Sequence, residues 1–130
     1  MKYLSRLIAL LALWFVFSSA LFAMPPAQMK QILNMTKNSW VSYRDFNGKQ
    51  LIYFTHLESY RCGIKSVKYS INSEALDQEW VLQPCDPKNP MAVTTEKPYI
   101  SLDLKTAHSI AIQLTFIDDT QSEVVHKKPS

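Results

Sequence analysis

Residues 40–57 read WVSYRDFNGKQLIYFTHL, and the Asn47-Gly48 pair at their centre constrains the chain more than any other feature. Asn-Gly between two β-rich runs specifies a two-residue hairpin turn of type I′, because both turn residues must adopt positive φ. Such a turn pairs Phe46 with Lys49 and so sets every pair beyond it: Arg44 with Leu51, Tyr43 with Ile52, Ser42 with Tyr53, Val41 with Phe54 and Trp40 with Thr55. Tyr43, Ile52, Val41 and Phe54 then share a face expected to be core. The other face collects Trp40, Arg44, Phe46, Leu51 and Tyr53, with Ser42, Lys49 and Thr55 among them.

Further alternating runs follow. IKSVKYSI (64–71) places Val67, Tyr69 and Ile71 together against Ser66, Lys68 and Ser70, and EWVL (79–82) places Trp80 with Leu82. QPCDPKNP, with Pro84, Pro87 and Pro90, suits neither a helix nor a central strand. YISLDLK (99–105) points Ile100, Leu102 and Leu104 inward and Ser101 and Asp103 outward. SIAIQLTFI (109–117) does the same with Ile110, Ile112, Leu114 and Phe116; Asp118-Asp119 makes a turn, and SEVVH is a last short strand. About seven short strands at this spacing, with no helix expected after residue 39, predict an all-β fold, an antiparallel β-sandwich. One apolar and one polar face per strand suit two sheets sharing a core. The fragment VKYSIN followed by a tryptophan strand, together with IQLTFIDDTQS, is loosely similar to strands of immunoglobulin-like and fibronectin-type modules.

Ahead of the sandwich, residues 24–39 form an arm or short helix in which Met29, Ile32, Leu33 and Thr36 share a face. Residues 1–23 have the form of a secretory signal peptide: Lys2 and Arg6, an apolar run from Leu7 to Phe17, then SSALFA, with cleavage after Ala20 or Ala23. The sandwich is then 40–126 and the polar tail 127–130. Losing Lys2 and Arg6 with the leader leaves 12 basic residues of the original 14 against 11 acidic ones. A balance so close to neutral carries no electrostatic footprint for nucleic acid or an anionic membrane.

In an exported chain, an even cysteine count points to a disulfide, here Cys62–Cys85. The two are too far apart for a C-x-x-C redox pair. His56, His108 and His126 are too scattered for a zinc site, so no metal or cofactor is expected. Closing a loop of about 24 residues stabilises by roughly 3 kcal/mol in the chain-entropy view.

No catalytic constellation emerges. Gly48 and Gly63 are the only glycines, which leaves no phosphate-binding loop and no nucleophile elbow. Asp118-Asp119-Thr120 reads as turn chemistry, and His56 as a core-edge histidine on its strand. The second face of the hairpin is the candidate binding surface: Trp40, Arg44, Phe46, Leu51 and Tyr53 have the composition of interface centres. Its covered alternative has residues 27–37 packing over it through Met29, Ile32 and Leu33. The expectation is a periplasmic or secreted, non-enzymatic module that binds another envelope or extracellular protein, as an inhibitor or assembly accessory. A carbohydrate-binding module using the same aromatics is the alternative; a small hydrolase using the turn acids is the weakest reading.

Overall fold

Asn47 and Gly48 both take positive φ, 53° and 74°, and close the hairpin between β1 (Ser42–Phe46) and β2 (Lys49–Tyr53). The register is the expected one, Phe46 opposite Lys49 through Ser42 opposite Tyr53. The computed structural model describes residues 24–130; the expected leader lies outside the described residues. Around the hairpin come α1 (Pro26–Met35), α2 (Thr55–Ser59), β3 (Ile64–Ile71), β4 (Gln78–Trp80), β5 (Tyr99–Asp103), β6 (Ile110–Phe116) and β7 (Val125–Lys127). Short 3₁₀ turns cover Lys37–Ser39 and Arg61–Gly63.

The strands form two antiparallel sheets, β1-β2-β5 and β4-β3-β6-β7, consistent with a β-sandwich. In the seven-strand immunoglobulin order the fourth strand lies beside the fifth. Here β4 pairs with β3 instead, so among the described residues β5 has a strand neighbour on one side only. The core between the sheets contains Ile52, Phe54, Val67, Ile110, Ile112 and Leu114, all fully buried. Trp80 stacks on Phe54 with ring centroids 4.4 Å apart and planes 3° from parallel, and Tyr69 meets the same ring at 5.3 Å. An irregularity between Ile64 and Ser66 shifts the register of β3, which lets Ile64 join Val67 in the core despite its opposite parity.

Four expectations fail at strand ends; the last strand, expected over 122–126, is Val125–Lys127. The second hairpin strand stops at Tyr53, and Thr55–Ser59 forms a helical turn in which the Glu58 N–H donates to the Phe54 carbonyl. A helix after residue 39 was not expected; it is there because Leu57, one turn from Phe54, is fully buried and closes that end of the core. β4 ends at Trp80 rather than at residue 82. β5 ends at Asp103, whose carbonyl accepts from both the N–H and the hydroxyl of Thr106. Lys105 takes φ 63° within that turn, and Leu104, expected to point in, is 48% exposed.

Two polar groups fasten the halves together from inside. Buried Gln50 on β2 accepts the Ala107 N–H at 2.8 Å and donates to the Ala107 carbonyl at 3.1 Å, tying the hairpin to the β5–β6 connection. The Tyr43 hydroxyl donates to the Lys127 carbonyl at 2.8 Å, joining β1 to β7.

Candidate binding surface

Because the hairpin register is strict, the outer face of the first sheet is a grid with known rows. Ser42, Tyr53 and Tyr99 lie side by side, then Arg44, Leu51 and Ser101, then Phe46, Lys49 and Asp103. The Arg44 guanidinium sits over the Phe46 ring at 4.3 Å from its centroid, a cation–π contact on the strand edge. Phe46 itself is 53% exposed. The Tyr53 and Tyr99 rings pack at 5.1 Å with planes crossing at 52°. Lys49 is ion-paired with Asp103 at 2.8 Å, and both are exposed. Between these groups is a hollow of about 360 Å³ lined by Phe46, Asn47, Lys49, Leu51, Lys97 and Tyr99. Leu51, only 6% exposed, lines its floor. Neither Lys97, in its lining, nor Arg44, stacked on Phe46 next to it, has a carboxylate partner among the described residues, so the hollow has an apolar base and an unpaired cation at its rim.

Four of the five expected surface residues are together here: Arg44, Phe46, Leu51 and Tyr53. Trp40 is not. Its backbone is helical (φ −58°, ψ −39°), so the two-residue alternation stops short of it and its side chain turns into the core. There the indole N–H donates to the Leu33 carbonyl of α1 at 2.9 Å. The helix therefore covers Trp40 without sealing the Phe46–Tyr53 face. Its own buried residues are Met29 and Leu33. Met29 lies against Gly63, where a Cβ would come within 2.7 Å of the methionine Cβ. Lys97 and Tyr99 were missed in the sequence. The odd parity that sends Ser101 and Asp103 outward applies to Tyr99 as well, but its position beside Tyr53 depends on the long-range β2–β5 pairing.

The loop that delivers Lys97 and Tyr99 is fastened at several points. The Cys62–Cys85 disulfide forms, with Cα atoms 4.9 Å apart, and holds the Pro-rich segment to the turn before β3. Buried Arg61 donates to the carbonyls of Pro84 (2.9 Å), Glu58 (3.0 Å) and Pro90 (3.3 Å). Buried Glu58 accepts the Gln83 N–H at 2.9 Å. Its carboxyl is pushed up by burial, against the opposing pull of the Gln83 amide, the Arg61 charge and the nearby Trp80 indole. That indole N–H has no partner in hydrogen-bonding geometry among the described residues. The Gln83 side chain in turn grips Ala92, Thr94 and Thr95. At the far end the Phe54 N–H donates to the Pro98 carbonyl at 2.7 Å. A loop with four prolines and no regular structure is thus held by buried charge, amide and sulfur instead of by a ladder.

The other candidates are engaged in structure. Asp118 accepts from the N–H and hydroxyl of Thr120 and from Lys30 at 2.9 Å; the Thr120 hydroxyl and then Lys30 hold its carboxyl down at about 2. Asp119, at φ 68°, pairs with Lys65. His56 lies on α2, not on a strand, where Nε2 meets the Thr36 hydroxyl at 2.9 Å and burial lowers its pKa. Among the described residues no group of three or more His, Cys, Asp or Glu side chains is placed to hold a metal ion. No helix among them is long and apolar enough to cross a membrane. In comparisons with known proteins, the chain matches no family model, no curated protein and no solved structure.

Proposed function

We propose that this chain is an exported, non-enzymatic binding module that recognises another envelope or extracellular protein through the outer face of the β1-β2-β5 sheet. The observation that carries this reading is the half-exposed Phe46 under the unneutralised Arg44, beside a hollow floored by Leu51 and edged by Tyr99 and Lys97. A sheet face that only met water would have no reason to carry an aromatic cluster there. Large rings with few rotatable bonds bury area at low entropic cost, and an arginine already stacked on one of them is pre-organised. The two cations, unpaired among the described residues, favour a partner patch that combines apolar side chains with carboxylates.

The disulfide supports export, since such cross-links persist in oxidising compartments. The tilt between Tyr53 and Tyr99 favours a shaped protein contact over a sugar ring, which stacks best on a flat platform. The turn acid Asp118 is engaged by Thr120 and Lys30, which speaks against the hydrolase reading built on the turn acids.

The test is in vivo photocrosslinking from a photoreactive amino acid at position 46, with the same probe at exposed Lys68 on the other sheet as reference. One discrete crosslinked partner from position 46, lost on Arg44→Glu while the circular dichroism spectrum is unchanged, is the expected result. Equal, diffuse labelling from both positions would refute the reading.

A further inference from the structure

We infer that the gap between β4 and β5 is a second recognition site, which takes an extended, basic-apolar peptide as an added strand on the free edge of β5. This edge is separate from the outer face: its cleft lies on the other side of β5 and shares no lining residue with the Phe46 hollow.

Two independent observations meet at this edge. The first is backbone chemistry. In an antiparallel pair, successive residues alternate between facing the partner strand and facing away. Phe54 bonds the Pro98 carbonyl, and the register pairs Ile52 with Ile100 and Gln50 with Leu102. Those residues face β2, which leaves the N–H and C=O of Tyr99 and Ser101 pointing outward. No main-chain or side-chain group among the described residues bonds to them. Such an edge is a template for another strand.

The second is the cleft beneath that edge. It measures about 380 Å³ and is lined by Tyr69, Ile71, Ile100 and Leu102, with Asp77 and Gln78 at its mouth. Ile100 and Leu102 alternate as core residues do, yet they remain only half-buried because β4 lies beside β3 and no described residue spans the gap. A strand laid along β5 would send every second side chain into the cleft and the others toward solvent. Asp77 is exposed and has no ion pair among the described residues, so a lysine or arginine beside the inserted apolar residue complements it. A second copy of the chain is a poorer occupant. Within Tyr99–Asp103 its β5 carries Asp103 as the only charge, and its nearest cations, Lys97 and Lys105, lie beyond the paired strand.

The experiment screens the purified protein, disulfide formed, against a random library of immobilised octapeptides. Expected is enrichment of sequences with apolar residues at alternate positions and a Lys or Arg next to one of them. For a selected peptide, N-methylation of the amide that faces Ser101 weakens binding about tenfold. Ser101→Pro does the same, since proline is tolerated on an edge strand where its missing N–H faced outward. Asp77→Lys redirects the library toward acidic peptides, and it decides the matter on its own should Ser101→Pro fail to fold. Phe46→Ala leaves peptide binding unchanged, which separates this site from the outer face. Absence of an alternating pattern, or an N-methylated peptide that binds as well as its parent, overturns the inference. So does a concentration-dependent dimer in sedimentation that Ser101→Pro abolishes, which would make a second copy the occupant.

Discussion

β5 and β6 follow the same alternating pattern and meet opposite fates. In β6, Ile110, Ile112, Leu114 and Phe116 are between 0% and 2% exposed, flanked by β3 on one side and β7 on the other. In β5, Ile100 and Leu102 stay half-covered. Their apolar sets do not distinguish them: YISLDL and IAIQLTF each present an apolar residue at every second position, and only the charge of Asp103 among the intervening residues of β5 sets it apart from β6. What differs is place. β6 is central in a four-stranded sheet with a second sheet over its inner face, whereas β5 is the edge of a three-stranded one. Alternation says which side of a strand is apolar; it does not say whether anything fills the space above that side.

Stability measurements break or sharpen this contrast. Leu114→Ala on β6 should cost about 3 kcal/mol, the range for a fully buried leucine, while Leu102→Ala on β5 should cost about 1 kcal/mol. Urea titration of both variants reads the difference, and equal losses would mean that the β4–β5 gap is not open in solution. Next in size is the cross-link that fastens the loop leading into β5. Replacing Cys62 and Cys85 together by serine should lower stability by about 2–3 kcal/mol, with proteolytic cutting appearing first between residues 86 and 97. If cutting appears elsewhere, Arg61 and Glu58 hold that loop without the sulfur bridge.

The opposite edge of the same sheet has its own pH signature. Burial raises the Tyr43 phenol to about 12, and its hydroxyl donates to the Lys127 carbonyl only while protonated. The folded state therefore keeps this proton where the unfolded chain, near the ordinary value of 10, begins to lose it. The contribution is complete below about pH 10 and is lost as pH rises toward about 12. Because the ring is partly exposed, its size is about 1 kcal/mol. Tyr43→Phe should flatten the alkaline limb of the stability curve between those values. The smallest effect belongs to the outer face. Phe46→Ala should change stability by less than about 0.5 kcal/mol, since the ring is half in water and braces no core residue. A larger loss would make Phe46 a structural residue and weaken the binding proposal.

Much of this was legible in residues alone, and the reasons are local. The Asn47-Gly48 turn determined the pairing of β1 with β2 residue by residue, because only certain residues adopt its backbone and the register follows from loop length. The inward set of β6 followed from period, and the Cys62–Cys85 bridge from count and context. Trp40 was illegible because one helical φ/ψ value, imposed by docking on Leu33, removed it from the alternation of its neighbours. The α2 turn and the outward Leu104 arose in the same way, from how the chain had to bend to bring the next element home.

By itself, then, the sequence determined the centres of the strands though not their ends, where the first hairpin turns and which cysteines are joined; each of these depends on neighbours along the chain. The tertiary structure alone decided that β4 lies beside β3, that Tyr99 lies beside Tyr53 and that β5 is left with a bare edge. Those outcomes depend on which of several similar apolar faces meet across the core, a competition among contacts distant in sequence that no local pattern records.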